Sequence, residues 1–161
     1  LGWRPFVLQI NSPKIRDVNL RDIARDINKT GKVKVKLLRF TNKKEVISLK
    51  AAAPDKTYRV RVRFEKPVEN IERLKSIRKI RQKTPRRVLH RRADKLRFKS
   101  VKDIKWKNIN NRVYVFEIRT EAGVYVKELV SGDNGRTEPS FSSVLGNQAV
   151  VEELDVTKVH A

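Results

Sequence analysis

The feature that most limits the fold of this chain is an alternation of apolar and charged residues over positions 56–67, KTYRVRVRFEKP. One set of alternate positions carries Tyr, Val, Val and Phe, and three arginines lie between them. Successive side chains of a β-strand point to opposite faces of a sheet, so this pattern predicts a strand with one apolar face and one cationic face. A sheet is therefore expected in the fold.

Other segments predict both strands and helices. Asn19 can cap a helix over 20–30 that Gly31 ends, and Gly132 can close a short helix over 123–132. A basic amphipathic helix is predicted over 68–80. Further strands are predicted at 4–10, 32–40, 44–53, within 88–107, at 113–122 and at 149–160. Because most connections have hairpin length, we expect an α+β fold, with a mixed, largely antiparallel sheet and flanking helices, in a single domain over 1–161.

Residue counts exclude several kinds of chemistry. The chain has no cysteine, which excludes disulfides, thiolate zinc sites and a cysteine nucleophile. Its only histidines are His90 and His160, which argues against a histidine metal site or a catalytic triad. There is no apolar run long enough for a membrane span and no signal peptide, so a cytoplasmic protein without membrane contact is expected.

The charge points to a polyanionic partner. The formal net charge is +21, and residues 73–99 hold 13 Lys and Arg against one acid, Asp94. A thermophilic surface is the alternative, but such surfaces interleave both signs. Arginine forks suit phosphate, so nucleic acid is the preferred interpretation. RNA is favoured over DNA because the sequence contains no recognition helix with a DNA-reading signature.

For two residues, Lys127 and Tyr58, the sequence permits either a purely structural role or a functional one. Lys127 lies within an apolar run of EAGVYVKELVSGDNGRTEPS, either reaching solvent from an amphipathic element or forming the cationic half of a buried site. Tyr58 lies among arginines, either as a core aromatic of its strand or as a stacking surface for a base. No phosphate-binding glycine loop, zinc motif or carboxylate pair is evident. The residue patterns alone therefore predict an RNA- or DNA-binding α+β domain, with RNA preferred, and nothing in them yet indicates an enzyme.

Five stretches, taken together and in order, resemble one family. They are LGWRPFVLQINSPK, KTYR, QKTPRRVLHRRA, EAGVYVKELVSGDNGRTEPS and ELDVTKVH. The family they resemble is that of the archaeal and eukaryotic tRNA pseudouridine synthases that act on uridines of the T arm. The resemblance implies an isomerase in which one aspartate attacks the uridine, the N-glycosidic bond breaks and the base is rejoined through carbon. It implies tRNA as partner and neither a metal nor a cofactor.

The resemblance also raises the question of the nucleophile. In the family, the catalytic aspartate lies just before the block that matches LGWRPF, and no aspartate of these 161 residues matches its motif. Trp3 also departs from the small or polar residue often found there. The expectation is an incomplete catalytic domain that lacks its N-terminal part, is inactive alone, and has the upstream part of the same enzyme as its partner.

The remaining site residues follow from the resemblance. Tyr58 matches the aromatic that stacks on the target base, Tyr125 a second pocket tyrosine, and Lys127 the cation that pairs with the catalytic aspartate. Leu129 is expected to pack beneath the site. Without the aspartate, Lys127 is predicted to turn toward solvent or to find a substitute acid or anion. The residues predicted to contact RNA are Arg86, Arg87, His90, Arg91, Arg92 and Arg136.

Two alternative functions stay open at this point. Size and charge also suit a non-catalytic RNA-binding protein of ribosomal type, and a degenerate synthase that only binds RNA is a further possibility. Substitution of Tyr58 distinguishes an enzyme from a protein that only binds RNA. In an enzyme, activity is lost while RNA binding falls only slightly, whereas in a binding protein Tyr58 is only a contact.

Overall fold

The computed structural model describes residues 3–160, and it divides into two compact units. The smaller unit, Pro5–Ala52, contains helix α1 (Leu20–Lys29) and helix α2 (Lys43–Ala51). Asn19 caps α1 as predicted, because its side chain accepts hydrogen bonds from the Arg21 and Asp22 backbone amides. Gly31 follows the helix with a φ of 69°, the left-handed conformation expected after a helix end.

The larger unit, residues 3–4 and 53–160, is built on one sheet of six strands. The strands are β1 (Asp55–Phe64), β2 (Lys79–Lys83), β3 (Leu96–Asn110), β4 (Val113–Thr120), β5 (Thr137–Glu138) and β6 (Ala149–His160). Their order is β5-β2-β3-β4-β1-β6, and every neighbouring pair is antiparallel. Two helices complete the unit, α3 (Val126–Ser131) and α4 (Phe141–Leu145), with 3-10 segments at Ile71–Ser76 and Arg86–Val88. The predicted α+β class is confirmed.

Strand β1 has the two faces that its sequence predicts. Its apolar residues from Tyr58 to Phe64 are buried, whereas Arg59 and Arg63 are exposed. The buried face packs around Phe116 of β4, whose ring centroid lies 4.9 Å from that of Phe141 in α4 and 6.4 Å from that of Phe64. The core therefore lies between one face of the sheet and the helices that follow β4.

Three predicted elements are wrong. Residues 4–10 and 32–40 form no strand, and 44–53 are mostly helix α2. Alternation in 32–40 does not make a strand, because no other segment of residues 3–160 forms a ladder with it and the Asn28 side chain instead bonds the Val35 backbone amide and carbonyl. Helix α2 forms because Asn42 accepts a hydrogen bond from the Glu45 amide and so caps the first turn.

The helix predicted over 68–80 is also wrong. The buried residues Leu74, Ile77 and Ile80 recur at intervals of three, which imitates a helical stripe. They belong instead to a 3-10 segment, a connection and strand β2, and Asn70 precedes them in the left-handed conformation with a φ of 52°. Within 88–107 the strand starts only at Leu96, and neither β5 nor α4 was predicted.

Residues 3–160 contain neither a membrane-spanning helix nor a metal-binding cluster. None of the helices there has the length and apolar character needed to cross a bilayer. The same residues contain no group of three or more side chains arranged to hold a metal ion.

Glu152 of β6 supports one pH prediction. Its carboxylate accepts hydrogen bonds from Arg63 and from Arg61 Nε at 2.9 Å, and these bonds lower its pKa. A carboxyl whose pKa is lower when folded stabilises the protein above its unfolded pKa, and this is lost as pH falls through the folded pKa. Below about pH 4 we therefore expect Glu152→Gln to lose less stability than wild type on acidification. Urea unfolding of both proteins at several pH values across that range measures their stabilities. If the stability of wild type and of Glu152→Gln falls equally steeply with pH, the prediction is wrong.

Candidate functional site

Helix α3 forms from the apolar run around Lys127. Its buried residues Val126, Leu129 and Val130 belong to the core, and Leu129 is fully buried. Lys127 itself is exposed, and its Nζ has no carboxylate within 4.0 Å among residues 3–160. Exposure to solvent was one of the outcomes predicted for Lys127, and its pairing with an aspartate stays a prediction. Its ammonium is thus available to a group that approaches the start of α3 from outside.

Buried Gln82 of β2 holds the residue that precedes α3. The Tyr125 backbone amide donates to Gln82 Oε1 at 2.8 Å, and Gln82 Nε2 donates to the Tyr125 carbonyl at 3.1 Å. Gln82 Nε2 also donates to Thr137 Oγ1 at 3.0 Å. This pair of backbone contacts fixes where α3 begins, and hence where Tyr125 and Lys127 leave the backbone.

Arg87 is joined to α3 by an ion pair. Its Nε donates to Glu128 Oε1 at 2.7 Å and its Nη2 donates to Oε2 at 3.3 Å. The Glu128 side chain is 7% exposed and that of Arg87 is 49% exposed, so the pair links a buried carboxylate to the surface. The hydrogen bond to Glu128 raises the pKa of Arg87, and its guanidinium carbon lies 5.9 Å from the centre of the Tyr125 ring. Arg87 therefore lies within cation–π distance of the Tyr125 ring while Glu128 holds its guanidinium.

The connection between β2 and β3, residues 84–95, carries most of the predicted RNA contacts and is called the basic loop below. Thr84 closes it, because its hydroxyl donates to the Ala93 carbonyl at 2.8 Å and accepts from the Lys95 amide at 3.0 Å. Asp133, after α3, accepts a hydrogen bond from the Arg86 amide at 3.0 Å. The loop is thus anchored at its base beside α3.

The predicted RNA contacts divide into two groups by their environment. Arg86, His90, Arg91 and Arg92 have exposed side chains and no ion pair within residues 3–160. Arg136 instead donates to the Thr84 carbonyl at 2.8 Å and pairs with Asp94, and Arg87 is held by Glu128. The RNA contacts of all six stay predictions, and the first group has the freer side chains.

Tyr58 lies in the core of this structure. It is 9% exposed, and it belongs to the same buried cluster as Leu129. Burial raises the pKa of its hydroxyl and the positive charge of Arg4 opposes that rise. The packing places Tyr58 in the core on the same face of the sheet as α3, as the core-aromatic interpretation expects. Its stacking on a base stays a prediction.

Sequence reasoning missed the residues that position the site. Gln82 and Glu128 contact no predicted ligand, yet they fix Tyr125 and Arg87. Glu128 carried a signal, since it is a second charged residue in the same apolar run as Lys127. Gln82 carried none, because a polar residue in a five-residue strand does not reveal which backbone it faces.

Gly132, which ends α3, supports a prediction with a matched control. Its φ is 81°, and a Cβ added there lies 2.8 Å from Ser140 Oγ, whereas Gly135, with a φ of 80°, has nothing within 4 Å of such a Cβ. Both Gly→Ala variants meet backbone strain, but only Gly132→Ala also disturbs the Ser140 cap of α4. We expect the free energy of unfolding to fall by about 2 kcal/mol in Gly132→Ala and by about 1 kcal/mol in Gly135→Ala. Chemical denaturation measures both, and equal losses contradict this.

Comparisons with known proteins agree across nearly the whole chain. The family model described as Pus10, C-terminal, matches residues 2–160. The chain is 44% identical over 163 residues to the tRNA pseudouridine synthase Pus10 of Methanocaldococcus jannaschii, covering 98% of this chain and 36% of that protein. It is 45% identical over 160 residues to the one of Archaeoglobus fulgidus, covering 97% of this chain and 45% of that protein. The chain thus spans less than half the length of these curated relatives.

Solved structures with a similar fold include a chain of a Cbf5 complex. A chain in the crystal structure of a Cbf5–Nop10–Gar1 complex is similar with a TM-score of 0.53 and 24% identity. The similarity covers 69% of this chain and 32% of that chain. At this identity the likeness concerns the fold alone.

Proposed function

Since this chain belongs to the family described as Pus10, C-terminal, we propose that it forms the part of a tRNA pseudouridine synthase that holds the target uridine of the T arm. The observation that carries the proposal is the exposed Lys127 at the start of α3, within a helix held by Gln82 and by the Arg87–Glu128 pair. The names of the curated relatives support tRNA as substrate. A cytoplasmic location belongs to the same proposal.

The nucleophile of the proposed reaction is an aspartate outside residues 1–161. It attacks the uridine, the N-glycosidic bond breaks, and the base is rejoined to the ribose through carbon. Lys127 keeps this aspartate ionised, because a nearby cation favours the charged form of a carboxyl. The exposed ammonium, which forms no ion pair with a carboxylate of residues 3–160, suits a partner that comes from outside. The proposed reaction uses neither a metal nor a cofactor.

The pocket around the base is proposed to consist of Tyr58, Tyr125 and Leu129. Tyr58 stacks on the uracil after the buried cluster opens enough to expose its ring, and Tyr125, beside the Arg87 guanidinium, borders the opposite side. Leu129 is the apolar floor of the pocket and supports Tyr58 through the cluster that both share. Residues 1–161 are proposed to act together as part of one catalytic domain.

The exposed cations of the basic loop are proposed to grip the tRNA backbone. Each phosphate contact releases counterions, so the logarithm of the binding constant falls with the logarithm of salt concentration by about 0.9 per contact. Replacing Arg86, Arg91 and Arg92 with Gln together is expected to reduce that slope by two to three. Replacing Lys43, Lys44 and Lys50 of α2 removes the same charge elsewhere and serves as control. Filter binding at several salt concentrations measures the slopes, and equal slopes contradict the assignment.

The test of the function compares two proteins on a tRNA transcript with an intact T arm. One is this chain, and the other extends it upstream through the expected aspartate. We expect pseudouridine only with the extended protein, and none after that aspartate is changed to Asn. Mapping of pseudouridine identifies the modified uridine.

Two results overturn parts of this proposal. Isomerisation by the 161 residues alone makes one of their own acids the nucleophile. Tight tRNA binding without isomerisation by either protein favours the second candidate, a non-catalytic RNA-binding protein. The second candidate is also compatible with the exposed Lys127, since no carboxylate of residues 3–160 lies within 4.0 Å of its Nζ.

A further inference from the structure

The outward face of β2 and β3 carries exposed cations and apolar side chains that have no role in the proposed reaction. In β2, Ile80 and Gln82 are buried, so the alternate residues Lys79, Arg81 and Lys83 point to the other face and are exposed. In the register between the two strands, Arg81 lies opposite Phe98 and Lys83 lies opposite Leu96. Cations and apolar side chains therefore stand side by side on this face.

Phe98 has the most exposed aromatic side chain in residues 3–160. It is 73% exposed, and Leu96, two positions before it on the same face, is 48% exposed. Phe98 borders a cavity of about 420 Å³, whose lining includes Lys79, Arg81 and Ser100. Phe98 and Leu96 form a contiguous apolar strip beside this cavity, and exposed apolar surface rimmed by polar side chains is typical of binding sites.

The charges on this face favour a polyanion. Lys79, Arg81 and Lys83 form no ion pair within residues 3–160. The one acid among the residues lining the cavity is Glu138 of β5, which lies opposite Arg81 in the register. The face therefore keeps an excess of positive charge. Two of its three cations are lysines, which are depleted from protein–protein interfaces although Arg and Phe are enriched there, so the charge excess is what favours a polyanion.

The face is also continuous with the basic loop. Lys83 and Leu96 are the residues that flank residues 84–95, at the ends of β2 and β3. A nucleic acid strand held by the exposed arginines of that loop can thus pass directly onto the two strands.

We infer that the outward face of β2 and β3 is a stacking platform for an unpaired RNA base. The base stacks on Phe98, and Arg81 and Lys83 contact the phosphates on either side of it. Aromatic rings framed by cations bind single strands in this way, because every base has a π-face. The choice of RNA rests on the proposed function, and the platform adds to it a second, single-stranded contact remote from the target uridine.

The experiment measures binding of the full 161-residue chain to two RNAs. One is an oligouridylate of about 12 nucleotides, within the usual site size of single-strand binders, and the other is an RNA duplex of the same length. Phe98→Leu keeps the apolar area and removes the π-face. It is expected to weaken oligouridylate binding about tenfold, the effect of losing one stacked base, and to change duplex binding less than about twofold. Val150→Ala, at an exposed apolar position of β6, is the control.

A second variant tests the stack directly. Phe98→Trp retains a π-face, so oligouridylate is expected to bind at least as tightly and to quench its fluorescence beyond any change seen with Trp3 and Trp106 in the wild type. Equal oligouridylate affinity of wild type and Phe98→Leu overturns the platform, as does an equal loss for both RNAs. Concentration-dependent self-association that Phe98→Leu abolishes, with RNA binding unchanged, assigns the face to a protein contact and overturns it as well.

The outcomes distinguish this inference from the proposed function. If oligouridylate binding depends on Phe98 but the upstream-extended protein does not isomerise uridine, the platform stands and the enzymatic proposal fails. If that protein isomerises uridine and Phe98→Leu changes nothing, the enzyme stands and the platform fails. A wild-type chain that binds neither RNA overturns the platform and the RNA contacts of the basic loop together.

Discussion

Replacing Gln82 with Ala is expected to lower the free energy of unfolding by about 3 kcal/mol. Gln82 is 1% exposed, and its amide makes three hydrogen bonds, two with the Tyr125 backbone and one with Thr137. The variant leaves the Tyr125 amide without its acceptor and Thr137 without its donor. Each unsatisfied buried group costs about 1–3 kcal/mol, and the lost side-chain volume adds to this cost.

The measurement is chemical denaturation followed by circular dichroism. Lys83→Ala, at the adjacent exposed position of the same strand, is the control and is expected to change stability by less than about 0.5 kcal/mol. Because Gln82 fixes the start of α3, the variant also displaces Tyr125 and Lys127. A loss below about 1 kcal/mol contradicts the role given to Gln82, since it means that water replaces its contacts.

Replacing Lys127 with Met in the upstream-extended protein is expected to reduce kcat at least about 100-fold, as when one charge-stabilising group is removed from an active site. Met keeps the length of the side chain and removes the ammonium that holds the catalytic aspartate ionised. The free energy of unfolding is expected to stay within about 0.5 kcal/mol, because Lys127 is exposed and has no ion pair within residues 3–160.

Single-turnover kinetics with a tRNA transcript measures this effect apart from tRNA binding. Lys107→Met, at another exposed lysine in β3, removes the same charge and is expected to leave kcat unchanged. A Lys127→Met variant that loses tRNA affinity but keeps its kcat has lost a phosphate contact, and the pairing with aspartate is then wrong. Lys127→Arg, which keeps the charge, is expected to retain part of the activity.

Several features could be predicted from neighbouring residues alone. The alternation around Val60 and Val62 defined β1, Asn19 marked the start of α1, and Gly132 marked the end of α3. The basic segment and the ordered sequence blocks pointed to RNA and to the family. These features depend on residues within a few positions of one another, where steric and hydrogen-bonding preferences are set by the local chain.

The tertiary structure decided what the local pattern left open. Residues 44–53 became a helix and Ile80 joined a strand, because a strand needs a partner along the sheet and a helix only a cap. Three of the contacts that define the sites join residues distant in sequence. They are the hydrogen bonds of Gln82 to the Tyr125 backbone, the ion pair of Arg87 with Glu128, and the cross-strand position of Phe98 opposite Arg81. Such contacts depend on strand order and register, and a single sequence carries no local signal for either.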